Sequence, residues 1–232
     1  METLGPYLLG HNPINAGIYT GNSLKLSAQI PDSSVDLIIC DPVYWETGQY
    51  KWLAETAVRV LKDGGNLVAQ AGFEYRYSAE CAMYNINGMT PRPLLVEAYT
   101  GGFQQVWNHR SLNAYAPYIW MTKGKDITRE AWVRTLVRGG GKDKSLHEWG
   151  DSPAAFFTWI EAMTDPGDVV FDPFTGSGVV PACCAVLGRR YLAFEIDPET
   201  ADKARSRLSS FQLPLSFDIF RQVEMDTTDG DQ

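Results

Sequence analysis

Val169-Val170-Phe171-Asp172-Pro173-Phe174-Thr175-Gly176-Ser177-Gly178 is the stretch on which the reading of this chain turns. Its apolar start is too short for a helix and suits a fully buried strand. Asp172-Pro173 ends the strand. The glycines let the backbone turn sharply and approach a ligand, and Ser177–Leu187 follows as a small-residue helix pattern with free N–H groups at its start. A second strand of the same kind, Val35-Asp36-Leu37-Ile38-Ile39-Cys40, ends at Asp41-Pro42-Val43-Tyr44-Trp45, about 130 residues earlier. Ligands of an open parallel sheet bind beyond the carboxyl ends of its strands. The two motifs therefore predict two ligands meeting at one sheet edge: a nucleotide-like cofactor at the glycine loop and a flat, amine-bearing group at Asp-Pro-x-Tyr.

Working outward, Asn66–Gln70, Tyr118–Thr122 and Tyr191–Glu195 read as further buried strands, with another near Gln104–Asn108. Helical patterns lie between them. Tyr50–Leu61 places Leu53, Ala57, Val60 and Leu61 on one face and ends at Asp63-Gly64-Gly65, a glycine stop. Ser152 and Pro153 open a helix running through Met163, as cap and first-turn proline, and Pro198–Phe211 closes the set. Strands alternating with helices predict a doubly wound α/β sheet. Residues 1–225 are expected to form a single domain, with a basic, glycine-rich insertion or target-recognition loop over about 124–149 and an acidic disordered tail over 226–232.

At 232 residues the chain can bury one substantial core. It has no apolar run of membrane-span length and no signal-peptide pattern at its start, so a cytoplasmic protein without a membrane partner is expected. Cys40, Cys81, Cys183 and Cys184 show no Cys-x-x-Cys pairing, and His11, His109 and His147 are scattered. Buried thiols and no metal site are expected. The net charge of −8 argues against a general nucleic-acid coat protein, yet Arg92–Lys144 holds nine Lys and Arg against four Asp and Glu. That local basic patch suits phosphate contact as well as it suits a solvated loop.

Phe194-Glu195-Ile196-Asp197 ends the next strand, and an acid there is well placed to bind ribose hydroxyls. There is no Gly-x-x-x-x-Gly-Lys-Ser/Thr, and Gly176-Ser177-Gly178-Val179-Val180-Pro181 lacks the last glycine of a dinucleotide loop. Asp172 beside the loop favours a cationic or amine-bearing ligand over a pyrophosphate.

Asp41-Pro42-Val43-Tyr44 followed in the chain by Asp172-Pro173-Phe174-Thr175-Gly176-Ser177-Gly178 resembles the DNA amino-methyltransferases, whose β class places the catalytic motif first and the S-adenosylmethionine loop last. Gly21-Asn22 with Leu24, Ile30–Asp36, Arg59–Gly65, His147–Pro153 and Gly188–Asp197 resemble further segments of that family, so the likeness covers most of the chain and is weakest over 73–149. It implies a Rossmann-like, mostly parallel seven-stranded sheet with an antiparallel end hairpin, of the class I methyltransferase type. By the same resemblance the reaction is methyl transfer to an exocyclic amine of a DNA base, with the base flipped out of a duplex and restriction-modification as a setting. Asp41 and the Pro42 carbonyl would accept the two amine hydrogens, and Tyr44 would stack on the base. The cofactor would be held by Asp172, Pro173, Phe174, Gly176 and Gly178, by Glu195 at the ribose, by Asn22 at the adenine edge, and by His147, Ser152 and Pro153 near the methionine end.

DNA is the expected partner, with Lys123, Lys125, Arg129, Arg134, Arg138, Lys142 and Lys144 on phosphates, and a second subunit (a homodimer) or another partner could complete the DNA cradle. Asp at position 41 tilts the target toward adenine N6. Cytosine N4, RNA or protein amides, and a non-catalytic cofactor- or nucleic-acid-binding module stand as alternatives. A C5-cytosine enzyme is disfavoured because no Pro-Cys nucleophile motif exists. Three positions depart from the family pattern: Val43 replaces a second proline, Asn22 an Asp, and Ser152 stands before Pro153 where the family has Lys.

Overall fold

Leu37 and Ile39 pack on one side of a sheet and Ile38 and Cys40 on the other, and all four are fully buried. A run apolar at every position, rather than at every second one, is what a strand covered on both faces requires. The computed structural model describes residues 17–43, 45–100, 102–107, 110–124, 131–139 and 153–210. In chain order they form β1 (Gly17–Thr20), α1 (Ser23–Leu26), β2 (Val35–Cys40), α2 (Thr47–Val60), β3 (Leu61–Gln70), α3 (Arg76–Tyr84), β4 (Met89–Pro91), β5 (Leu95–Ala98), β6 (Gln104–Val106), β7 (Ser111–Asn113), β8 (Tyr115–Lys123), β9 (Leu136–Arg138), α4 (Ala154–Met163), β10 (Val169–Asp172), α5 (Val179–Leu187), β11 (Arg190–Glu195) and α6 (Pro198–Ser210).

The main sheet runs β1-β11-β10-β2-β3-β8-β5-β9, with β4 also on β8. The first five strands are parallel, and β8 is antiparallel to both β3 and β5. This is the expected mostly parallel seven-stranded sheet with an antiparallel end. The short strands β4 and β9 extend it to nine. β9 comes from inside the 124–149 segment and pairs parallel with β5. Val137 there is buried, and Trp159 Nε1 donates to the Arg134 carbonyl at 2.8 Å. α2 and α3 cover one face through Tyr50, Leu53, Ala57 and Met83. α4 and α5 cover the other through Phe156, Trp159, Ile160 and Cys183.

Several local expectations shift. α2 ends at Val60 and Leu61 is already extended (φ −68°, ψ 144°), so Gly64-Gly65 is not a helix stop. The pair forms an irregularity inside β3, where the register with β2 jumps from Val35↔Leu61 to Leu37↔Asn66 and Gly64 has φ 79°. A Cβ at Gly65 would lie 2.9 Å from the Lys62 carbonyl oxygen and 3.0 Å from that of Asp36, both backbone atoms that cannot move aside cheaply. Gly65→Ala is therefore expected to lower stability by about 1–3 kcal/mol in denaturant titration, and an unchanged midpoint would contradict this packing. α4 begins at Ala154, with the Pro153 carbonyl accepting from Phe157 N–H at 2.8 Å. α5 starts two residues later than expected because Gly178 sits in the left-handed region (φ 88°), which a helix cannot continue through. Cys40, Cys183 and Cys184 are buried as expected, but Cys81 is exposed on the outer side of α3. No group of metal-ligating side chains occurs among the described residues, and none of their helices is long and apolar enough to cross a membrane.

Candidate active site

The carboxyl ends of the central parallel strands place four loops side by side, because β1, β11, β10 and β2 are consecutive neighbours in the sheet. From β1 comes Gly21-Asn22, with Gly21 N–H donating to the Glu195 carbonyl at 2.7 Å. From β10 comes Asp172–Gly178, and from β11 the Glu195 side chain. From β2 come Asp41 and Pro42. The Glu195 carboxylate joins two of these loops, taking Gly176 N–H at 2.9 Å on one oxygen and Asp197 N–H at 2.9 Å on the other. Carboxylate oxygens carry about four acceptor sites between them, so capacity for ligand hydroxyls remains. Gly176 itself lies at φ 50°, a conformation that glycine adopts without strain.

Asp172 is buried and accepts Phe174 N–H at 3.1 Å. Burial pushes its carboxyl up to about 8, and the neighbouring charges of Asp41 and Glu195 push the same way against the Phe174 N–H. A pocket that gathers three acids at one edge, one of them held protonated near neutrality, suits a ligand carrying positive charge and hydroxyl donors. Cys40, directly before Asp41, is buried and held well above the ordinary thiol range by that burial and by Asp172 and Asp41. It is thus a poor thiolate, and the cysteine-dependent C5 chemistry disfavoured above gains no nucleophile from it.

Two residues of this site escaped the motif reading. Ser23 Oγ donates to the Pro173 carbonyl at 2.5 Å and is buried. Trp52, on α2, meets Phe174 edge-on with ring centroids 6.1 Å apart, which seats the glycine loop against the helix that follows Asp41. Ser23 adjoins Gly21-Asn22, a neighbourhood that could have flagged it, whereas Trp52 looked like any helix-face aromatic.

The other expected site residues divide by position. Asn22 caps α1, its Oδ1 accepting from Leu24 N–H at 3.0 Å and Lys25 N–H at 3.4 Å, which leaves its amide nitrogen as the group for a ligand. Pro153 lies at the start of α4, at the same sheet edge, with its carbonyl 3.9 Å from Cys183 Sγ. Pro42 is buried, while Val43 is 37% exposed and its carbonyl accepts Glu46 N–H. Arg138 ends β9 beside Ala98, at the carboxyl edge, and Arg134 precedes that strand; both are exposed. Lys123 is not brought to the site. It ends antiparallel β8, hence at the opposite edge, where its Nζ donates to the Leu61 carbonyl at 2.7 Å. Tyr44, Lys125, Arg129, Lys142, Lys144, His147 and Ser152 lie outside the described residues.

Comparison with known proteins agrees with this geometry. The DNA methylase family profile matches residues 153–206, which span α4, the glycine loop and the Glu195 strand. The chain is 23% identical to the type II methyltransferase M.HinfI of Haemophilus influenzae, over 82% of this chain and 67% of that protein. It is 26% identical to the type II methyltransferase M.BamHI of Bacillus amyloliquefaciens, over 77% of this chain and 54% of that protein. The chain thus spans about one half to two thirds of the length of these relatives. In structure it superposes on the PvuII DNA methyltransferase (cytosine-N4-specific) with a TM-score of 0.72, 15% identity and 93% coverage of both chains. In sequence over residues 153–206, and in fold over most of its length, the chain is similar to the amino-methyltransferases of the N6-adenine and N4-cytosine class. S-adenosylmethionine is the cofactor of that class, and its two cationic centres and ribose hydroxyls fit the acid-rich pocket and the Glu195 carboxylate.

Proposed function

We propose that this chain methylates an exocyclic amine of a DNA base, with adenine N6 as the favoured atom. One observation carries the reading: Asp41 stands at the carboxyl end of β2, next in the sheet to the strand that presents Asp172 and the glycine loop. Acceptors for an amine and a pocket for a cationic cofactor therefore share one edge. Bound there, S-adenosylmethionine supplies an electrophilic methyl group. Glu195 would hold its ribose, Asn22 its adenine edge, and the Asp172–Gly178 loop its charged end.

On the substrate side, a base amine is a weak nucleophile because its lone pair is delocalised into the ring. The Asp41 carboxylate and Pro42 carbonyl would accept its hydrogens and free that lone pair. As nitrogen gains positive charge, Asp41 stabilises it, and a water-poor setting strengthens the effect. Tyr44 is assigned by its motif to stack on the base, a contact worth about 1–3 kcal/mol. Neither Val43 nor its exposure removes an acceptor from this scheme. The adenine preference rests on Asp at position 41 alone, and the likeness to a cytosine-N4-specific structure keeps cytosine as the second reading.

Mass spectrometry of nucleosides from DNA incubated with the protein and S-adenosylmethionine tests the reading. N6-methyladenine is expected; N4-methylcytosine would reassign the base, and unmodified DNA would overturn the activity. For the phosphate interactions, Arg134→Glu with Arg138→Glu is expected to weaken DNA binding and to flatten log K against log salt by about 0.9 for each phosphate no longer neutralised. Lys123→Ala should leave that slope unchanged, since Lys123 is tied down at the far edge of the sheet. An unaltered slope in the double variant would remove these arginines from the interface.

A further inference from the structure

We propose that the β6–β7 ribbon is a DNA arm whose tip residue, Trp107, wedges into the duplex beside the target base; this rests on the DNA reading above. Among the described residues β6 and β7 pair only with each other, in the register Gln104↔Asn113, Gln105↔Leu112 and Val106↔Ser111. They leave the sheet on the active-site side. Gln70, at the end of β3, lies level with Tyr118, and Tyr118 with Leu95, while β5 and β8 continue outward as far as Ala98↔Tyr115. Three further residues at about 3.3 Å each carry the root of the ribbon roughly 10 Å past the sheet edge from which Asp41 emerges.

The ribbon has two unlike faces. Strand alternation sets Phe103, Gln105 and Trp107 on one side, with Leu112 opposite Gln105. Phe103, Trp107 and Leu112 are 59%, 81% and 60% exposed. The other side carries Asn113, which is buried. The apolar side is therefore the outward one, and it ends in a nearly bare indole. Apolar surface concentrated on a projecting element marks an interaction site. Cations flank it: Arg110 is exposed at the turn, its N–H facing the Trp107 carbonyl at 3.4 Å, and Arg138 is exposed at the root, paired with Ala98.

An aromatic tip with one arginine at its turn and another at its root complements a polyanion built of stacked rings. A two-stranded ribbon fits the DNA major groove. Apolar side chains inserted between base steps unstack and kink a duplex, and an enzyme acting on a base amine must take that base out of the stack. Trp107 would fill part of the space the base leaves, so it acts on opening the duplex and not on the chemistry.

That role has its own signature. Catalytic efficiency is measured on a matched duplex and on the same duplex with the target base mispaired, using the intact chain, Trp107→Ala and Trp107→Phe. On the matched duplex Trp107→Ala should lose roughly tenfold or more in kcat/KM. Mispairing should restore most of that loss, and Trp107→Phe should keep most of the activity. Equal losses on both duplexes, or none, overturn the arm while leaving the methyltransferase reading intact. A Trp107→Ala variant that instead changes the sedimentation of the free protein makes the ribbon a contact between copies, which also overturns it. If the intact chain methylates neither duplex, the parent reading fails and the arm with it.

Discussion

Asp41→Ala is expected to lower the rate of methyl transfer by roughly a hundred- to a thousand-fold while leaving S-adenosylmethionine affinity within a few-fold of the original. The magnitude is that of removing one group aimed at charge that develops in a transition state. The reason for the split is positional. Asp41 leaves β2, whereas Asn22, the glycine loop and Glu195, proposed for the cofactor, follow or end β1, β10 and β11, so in the proposed arrangement its loss bears on the amine more than on the cofactor. Single-turnover transfer and calorimetric binding, run side by side, check both halves. A variant that still transfers methyl groups at the original rate would remove Asp41 from the chemistry. One that loses cofactor binding altogether would mean that Asp41 shapes the pocket instead.

The second large effect concerns Asp172. Its carboxyl is raised to about 8 in the folded chain, chiefly by burial, from an ordinary value of 3.8. Between those values the folded protein holds a proton that the unfolded chain has released. Stability must then fall as pH rises from about 4 to about 8, with a limiting slope of roughly 1.4 kcal/mol per pH unit for this one group. Below about 4 both states are protonated and the group adds nothing; above about 8 the full cost of the buried charge is present. Asp172→Asn keeps an acceptor for Phe174 N–H and cannot ionise. Its melting temperature should therefore exceed that of the unaltered chain at pH 9 and approach it at pH 4. Parallel melting curves across that range would contradict a raised Asp172. The same ionisation should strengthen affinity for a cationic cofactor as pH rises through about 8, because the carboxylate then supplies a full negative charge.

Both predictions concern residues visible in the two motifs, and the reason is physical. Asp172 and Asp41 each end a run of apolar residues, and such a run has few ways to be buried other than as a sheet strand covered on both faces. The expected strands at 35–40 and 169–171 match β2 and β10 almost residue for residue. Glu195 was equally legible, being the acid that ends β11. Legibility failed where strands were short or lay at an edge. β4, β5 and β9 have three or four residues each, so their periodicity is too brief to read. Gly64-Gly65 resembled a helix stop because a left-handed glycine serves a cap and a strand irregularity equally well.

Lys123 shows the limit most plainly. In the sequence it stands among the basic residues of 92–144 and looks like their equal. In the fold it ends a strand that runs against the five parallel ones beside it, so it emerges at the edge opposite Asp41 and caps the Leu61 carbonyl. Trp107 shows the converse. Nothing in its local sequence separates it from a core tryptophan, and only the pairing of β6 with β7 turns it outward on the active-site side.

By itself, then, the sequence determined the α/β architecture and the places of Asp41, Asp172 and Glu195 at the carboxyl ends of their strands, because each follows from a local pattern of burial ended by a polar turn. Tertiary structure alone decided which charges share an edge, how far Asp172 is driven from its ordinary ionisation, and which aromatics face outward. Those properties depend on strand order and direction, and distances across a sheet are set by residues far apart in the chain.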